Sequence, residues 1–218
     1  MQRRDFLKNT GLVTSGVLLA VTTKTAEAIS KGVPQKREPR LLQISQLGNE
    51  ILRKVAQPVT EIHDNGIQEL IDDMIATLEE AGGVGIAAPQ VYQSVRVIVI
   101  ASKPSPTRPN VPDMPPLPLI NPIVTAASET MEIDWEGCLS VPGLRAPVPR
   151  HTWVEVKHHD REGKELSARF EGFVARIFQH EHDHLEGIVY LDRIQSVKDI
   201  YTEKEYQRLM KLKDSTKK

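Results

Sequence analysis

Cysteine is almost missing from this sequence: Cys138 is the only one in 218 residues. A single thiol excludes an intramolecular disulfide, so pairing says nothing about redox compartment. It leaves Cys138 as a small buried hydrophobe, a nucleophile or a metal ligand. An excess of charge is missing too. The formal net charge is -1, which gives no support to nucleic acid as a principal partner. The apolar stretch from Gly11 to Val21 is too short to span a bilayer. There is no phosphate-binding loop, because Gly82, Gly83 and Gly85 have the wrong spacing and no Lys-Ser/Thr follows them. No internal repeat divides the chain. What is present, 39% hydrophobic and 26% charged residues, suits one soluble globular domain.

The first 28 residues read as an export signal. Arg3-Arg4-Asp5-Phe6-Leu7-Lys8 precedes the short apolar stretch, and Ala26-Glu27-Ala28 offers a small-residue cleavage pattern. The paired arginines resemble a twin-arginine signal. The expectation is a processed chain on the periplasmic side, with no stable membrane insertion after cleavage; a cytoplasmic enzyme with a vestigial leader is the alternative. Residues 29–40 read as a flexible linker and 41–218 as a single domain.

Within that domain, Asn65 to Gly83 has helical periodicity. Ile67, Leu70, Ile71, Met74 and Leu78 form the apolar stripe, with Asp72, Asp73 and Glu79 facing out. Val95–Ala101 is a buried strand by composition. Seven prolines between residues 102 and 118 remove so many backbone donors that the stretch is expected to be an exposed loop and not sheet. Leu119–Pro122 and Thr130–Trp135 read as short strands, and Trp153–His159 with Lys164–Phe170 as a hairpin. Thr202 and Glu205 have capping-box spacing and open a C-terminal helix.

The chemistry concentrates at Gln179–Leu185, which contains His-Glu-x-x-His. In a helix, His180 and His184 share one face and can grip a single ion, while Glu181 can act as general base on a water. Two such histidines can also be partly buried polar residues with no ligand role. A catalytic ion usually takes three protein ligands, and Cys138, between Gly137 and the Pro142-Gly143 turn, is the residue to examine. His63, His151, His158, His159 and His182 read as surface or turn residues.

Three motifs in this order closely resemble those of the peptide deformylases. They are the small-residue loop Gly83–Gln90, the strand Glu136–Ser140 and the helix Gln179–Leu185, and the resemblance runs from about residue 41 to about residue 200. Ala175-Arg176-Ile177 resembles the organelle-like type 1 branch of that family. The resemblance implies an α+β fold: small mixed or antiparallel sheets packed around a central metal-binding helix, with an amphipathic helix before it and a C-terminal helix after it. It implies one divalent ion on Cys138, His180 and His184. Fe(II) is the first choice, with Zn(II), Ni(II) or Co(II) fitting the same donors.

It further implies Glu181 as the acid/base, with the Gln90 amide and the Leu139 N–H as oxyanion donors. The backbone of Val84, Gly85 and Gly137 would pair with the substrate, and Ile86 and Ile177 would line its side-chain pocket. The implied partners are N-formylmethionyl peptides or protein N-termini, met by a monomer or weak dimer. Two other readings compete. A zinc endopeptidase would need Glu186 or Asp192 as third ligand, and an exported formyl-peptide-binding protein would have no need of Glu181.

Overall fold

A computed structural model describes residues 37–105 and 109–215. The stretch read as an export signal and most of the stretch read as a linker therefore lie outside the described residues. Glu38–Lys218 forms one compact unit. The linker's described end is already tied down, against the expectation of a flexible entry. The Arg40 N–H donates to Asp73 Oδ1 at 2.7 Å and the Leu42 N–H to Thr77 Oγ1 at 2.9 Å.

Both acceptors lie on helix α1, Asn65–Glu80. Asp64 caps it by accepting from the Gly66 N–H at 2.8 Å, which satisfies one of the free donors of the first turn. Ile71, Met74 and Leu78 are fully or almost fully buried, each worth roughly 1.5–3 kcal/mol of apolar burial. Asp73 does not face solvent as its place in the periodicity suggests: it is buried, because the incoming chain supplies a backbone donor there.

Strands β1 (Gly85–Ala87), β2 (Val97–Ser102), β3 (Met114–Ala127), β6 (Trp153–His159) and β7 (Glu165–Glu171) form an antiparallel sheet in the order β1-β2-β3-β6-β7. Strands β4 (Met131–Cys138), β5 (Val141–His151) and β8 (Tyr201–Thr202) form a second, smaller one. Helices α2 (Gly172–Leu185) and α3 (Glu203–Ser215) complete the fold. None of the described helices is long and apolar enough to cross a membrane.

β2 is buried on both faces, and its period-2 alternation divides the core. Val97 and Val99 join Ile71, Met74, Leu78 and Ile86 on the α1 side. Ile98 and Ile100 join Ala87, Ala175, Ile177 and Phe178 on the α2 side. Alternation of this kind is what places β1, and with it the site, against α2.

The proline-rich segment departs from expectation. Pro115, Pro116 and Pro118 lie in β3, which is 14 residues long. β3 pairs with β2 from Met114 to Ile120 but with β6 only from Ile120 onward. The half that carries these three prolines thus has one neighbour, and Pro116 and Pro118, two residues apart, direct their missing N–H groups the same way. Prolines are tolerated where one side of a strand is free.

Candidate active site

α2 carries His180, Glu181 and His184, all buried. Gly172 begins the helix at φ 54° and Gly187 follows it at φ 72°, a left-handed conformation that costs glycine little. β4 delivers Cys138 at its last position, beside an irregularity in the β4–β5 ladder between Glu136 and Cys138. One ligand atom from each of Cys138, His180 and His184 lies within 4.8 Å of the others, and Cys138 Sγ is 3.3 Å from His184 Nε2. Among the described residues no other His/Cys/Asp/Glu group is arranged to hold an ion. One thiolate with two imidazoles fits a borderline divalent ion and leaves a coordination position open.

The protonation pattern fits as well. His180 Nδ1 is 2.8 Å from Glu136 Oε2, so it is the protonated nitrogen, and Nε2 is left to face the cluster. Burial works against a charge on His180, but the Cys138 thiol and Glu136 outweigh it and hold its affinity for protons well above the usual histidine range. A cation would take the place of that proton. Burial keeps His184 well below that range, which leaves a neutral ring ready to ligate.

Glu136 is itself over-determined. Burial pushes its pKa up, yet hydrogen bonds from His180 and Arg150 hold it far below the ordinary carboxylate value. Arg150 grips it with Nε to Oε1 at 2.9 Å and Nη2 to Oε2 at 3.0 Å, and Arg176 Nη1 adds a bond to Oε1 at 2.9 Å. The carboxylate stays ionised and the ring tautomer is fixed.

The remaining polar groups converge on the same point. Gln90 sits in a 3₁₀ turn, Ala88–Val91. Its Oε1 accepts from the Ala87 N–H at 2.7 Å, so Nε2 is aimed at Cys138 Sγ (3.4 Å) and Ser140 Oγ (3.2 Å). A preceding segment locks the two loops together. The Ser45 N–H donates to the Gln90 carbonyl and the Leu47 N–H to the Ser140 carbonyl, both at 2.7 Å. Glu181 Oε2 is buried without a hydrogen-bond partner, and burial raises this carboxyl to about 7, with His180 opposing. The carboxylate occupies the space a side chain at Gly85 would fill: a Cβ there would lie 2.3 Å from Glu181 Oε1.

These groups open onto a cleft of about 1130 Å³. Val84 and Gly85 form one wall, Gly137 and Leu139 the other, and Phe173, Ile177 and Glu181 lie on the α2 face. β1 is the outer strand of its sheet, so its free edge borders the cleft. A family profile described as Polypeptide deformylase matches residues 41–199.

The chain belongs to the polypeptide deformylase family.

It is 52% identical over 172 residues to peptide deformylase 2 of Nostoc sp., which is 79% of this chain and 96% of that relative. Peptide deformylase 2 of Pseudomonas putida is 42% identical over 163 residues, 73% of this chain and 92% of the relative. Among solved structures, a class I type b peptide deformylase from Acinetobacter baumannii with Met-Ala-Ser bound superposes at TM-score 0.69 and 45% identity, covering 71% of this chain and 98% of that one. A peptide deformylase from Synechococcus elongatus in complex with actinonin gives TM-score 0.66 and 34% identity, covering 77% and 88%.

Of the deformylase residues expected from the sequence, Val84, Gly85, Gln90, Gly137, Cys138, Leu139, Ile177, His180 and Glu181 line the cleft, and His184 lies fully buried behind Cys138. The exception is Ile86. Its side chain is fully buried among Ile71, Met74 and Val99, because alternation along β1 turns it to the opposite face from Gly85. Phe173, one turn before Ile177, lines the cleft in its stead. Of the five histidines read as surface or turn residues only His63 is exposed: His158 is buried, and His151, His159 and His182 are half-buried, His182 against Phe178. Glu186 and Asp192 pair with Arg96 and Arg53. The sequence reading missed the Arg150–Glu136–Arg176 group as a unit. Glu136, two residues before the only cysteine, is the one signal that could have led to it.

Proposed function

We propose that this chain removes the formyl group from N-formylmethionyl peptides or protein N-termini and releases formate. Its family is named for deformylation. The observation that carries the reading is the meeting of Cys138, His180 and His184 with a buried, unpartnered Glu181 oxygen and the Gln90 amide on one cleft. Cys138, His180 and His184 would hold one divalent ion, Fe(II) first, which when bound supplies Lewis-acid activation of water.

Glu181 Oε2 accepts the proton of the attacking water and passes it to the leaving amine; a carboxyl near 7 is suited to both transfers at neutral pH. Gln90 Nε2 and the Leu139 N–H donate to the formyl oxygen as it gains charge, a contribution of about 3 kcal/mol for one such donor. The backbone of Gly85 at the free edge of β1 and of Val84 just before it, with Gly137 opposite, takes the peptide as an added strand. Ile177 and Phe173 receive its first side chain. Arg176 fits the organelle-like branch of the family.

The sequence of residues 1–28, read as an export signal, supports a periplasmic enzyme acting on released formylated peptides or on exported N-termini. The endopeptidase reading is disfavoured by the ion pairs that engage Glu186 and Asp192 away from the cluster. The test is formate release from a formylmethionyl peptide by the purified, metal-loaded protein. Release is expected, and cleavage of internal peptide bonds without formate would overturn the proposal.

A further inference from the structure

The ligand set is divided across a seam. His180 and His184 ride on α2, whose apolar face is built into the large sheet's core through Ala175, Ile177, Phe178 and Leu185. Cys138 belongs to the small sheet, which has its own cluster of Val141, Ala146, Val148 and Tyr190. Separate apolar cores do not by themselves fix the distance between a strand end and a helix face.

Charged crossings span the seam on both sides of His180. One turn before it, Arg176 Nη1 donates to Glu136 Oε1 (2.9 Å) and to the Val148 carbonyl (2.8 Å), and Nη2 to the Glu132 carbonyl (2.6 Å). Arg176 is 6% exposed. Three residues after His180, Asp183 Oδ2 accepts from Arg150 Nη1 at 2.6 Å, and Arg150 returns to Glu136. With a longer bond from Nη1 to the Asp134 carbonyl (3.4 Å), Arg176 reaches β4 three times and β5 once from a single guanidinium. A planar fork can do this, whereas a lysine ammonium is a point charge that cannot satisfy acceptors spread over two strands.

We propose that Arg176 is a positioning residue that presets the spacing between Cys138 and the His180–His184 pair by clamping α2 to β4 and β5. The inference rests on the reading of those three residues as ligands. It treats the clamp as part of the metal site and not only of the fold: Arg176 acts on His180 through Glu136, and a partner of that kind typically sets metal affinity by 10–100-fold.

The test uses the full chain and Co(II) alone as probe, because its visible bands report both occupancy and coordination geometry. Arg176→Met keeps most of the stem and removes every donor. Its Co(II) affinity should fall by about 10–100-fold with altered bands, and kcat should fall while KM for a formylmethionyl peptide changes little. Arg176→Lys should recover part of both losses. Wild-type affinity and spectrum in Arg176→Met would overturn the inference, as would Lys and Met variants that cannot be told apart. If Arg176→Met does not fold by far-UV circular dichroism, Arg176→Lys alone decides: weakened Co(II) binding with shifted bands supports the clamp, and a wild-type profile overturns it. A wild-type protein that binds no Co(II) would overturn the ligand assignment itself, and the inference with it.

Discussion

Gly85→Ala isolates one contact that the proposed chemistry depends on. Gly85 has an ordinary backbone conformation, with no positive φ, so alanine is not excluded by the chain. The added Cβ would lie 2.3 Å from Glu181 Oε1 and 2.7 Å from its Cδ and Cγ. An ordinary contact begins near 3.4 Å, so the carboxylate must retreat by about 1 Å. Glu181 is buried and has little room to do so. Overpacking of this kind typically costs about 1–3 kcal/mol, offset by about 0.4–1 kcal/mol from the loss of glycine's freedom in the unfolded chain. The variant should therefore fold, with a small loss of stability. A misplacement of about 1 Å in a reacting group costs on the order of 100-fold in rate, or about 2.7 kcal/mol. The assay is formate release under saturating substrate, with metal content measured on the same sample. A kcat about 100-fold lower with metal retained is expected. Gly83→Ala, whose Cβ would meet Leu78 and Leu139 side chains and not Glu181, is the control and should keep most of its kcat. Wild-type kcat in Gly85→Ala would refute the placement of Glu181 as the proton carrier.

Glu181→Gln should retain metal and lose turnover by at least about 100-fold, since an amide cannot accept the proton; near-normal formate release would remove Glu181 from the chemistry. Acid should destabilise the fold. Glu136, with Asp192 and Glu203, is held below its ordinary value, so the stabilisation is complete above the unfolded carboxyl pKa of about 4.3 and is lost as pH falls below it. The urea midpoint should drop on acidification and drop less in Glu136→Gln; a flat profile would contradict the linkage. Replacing Arg3 and Arg4 by lysines should leave unprocessed protein in the cytoplasm, whereas identical fractionation of wild type and variant would end the export reading.

The parts legible in the sequence were those whose partners are near in the chain or carried by periodicity. The stripe of α1, the hairpin of β6 and β7 and the pairing of His180 with His184 are local patterns, and local spacing is sufficient to read them. The Arg150–Glu136–Arg176 group is not local: Arg150 lies 14 residues and Arg176 lies 40 residues from Glu136. No short window shows why two arginines should be buried. The prolines of β3 misled because their cost depends on which edge of the strand is free, a property of the sheet and not of the strand. Ile86 misled for a related reason. Val84 and Gly85 before it line the cleft, but alternation along β1 gives Ile86 to the core. Asp73 reads as a solvent residue until the Arg40 N–H arrives as its partner from 33 residues away.

The most direct test of the central claim is a metal titration of the stripped protein under anaerobic conditions, following formate release from a formylmethionyl peptide. With Cys138, His180 and His184 forming a single site, activity should be absent at the start, rise linearly with Fe(II) and level off at about one equivalent per chain, with no such rise in Cys138→Ala. Full formate release from the stripped wild-type protein, or an unchanged titration in Cys138→Ala, would contradict it.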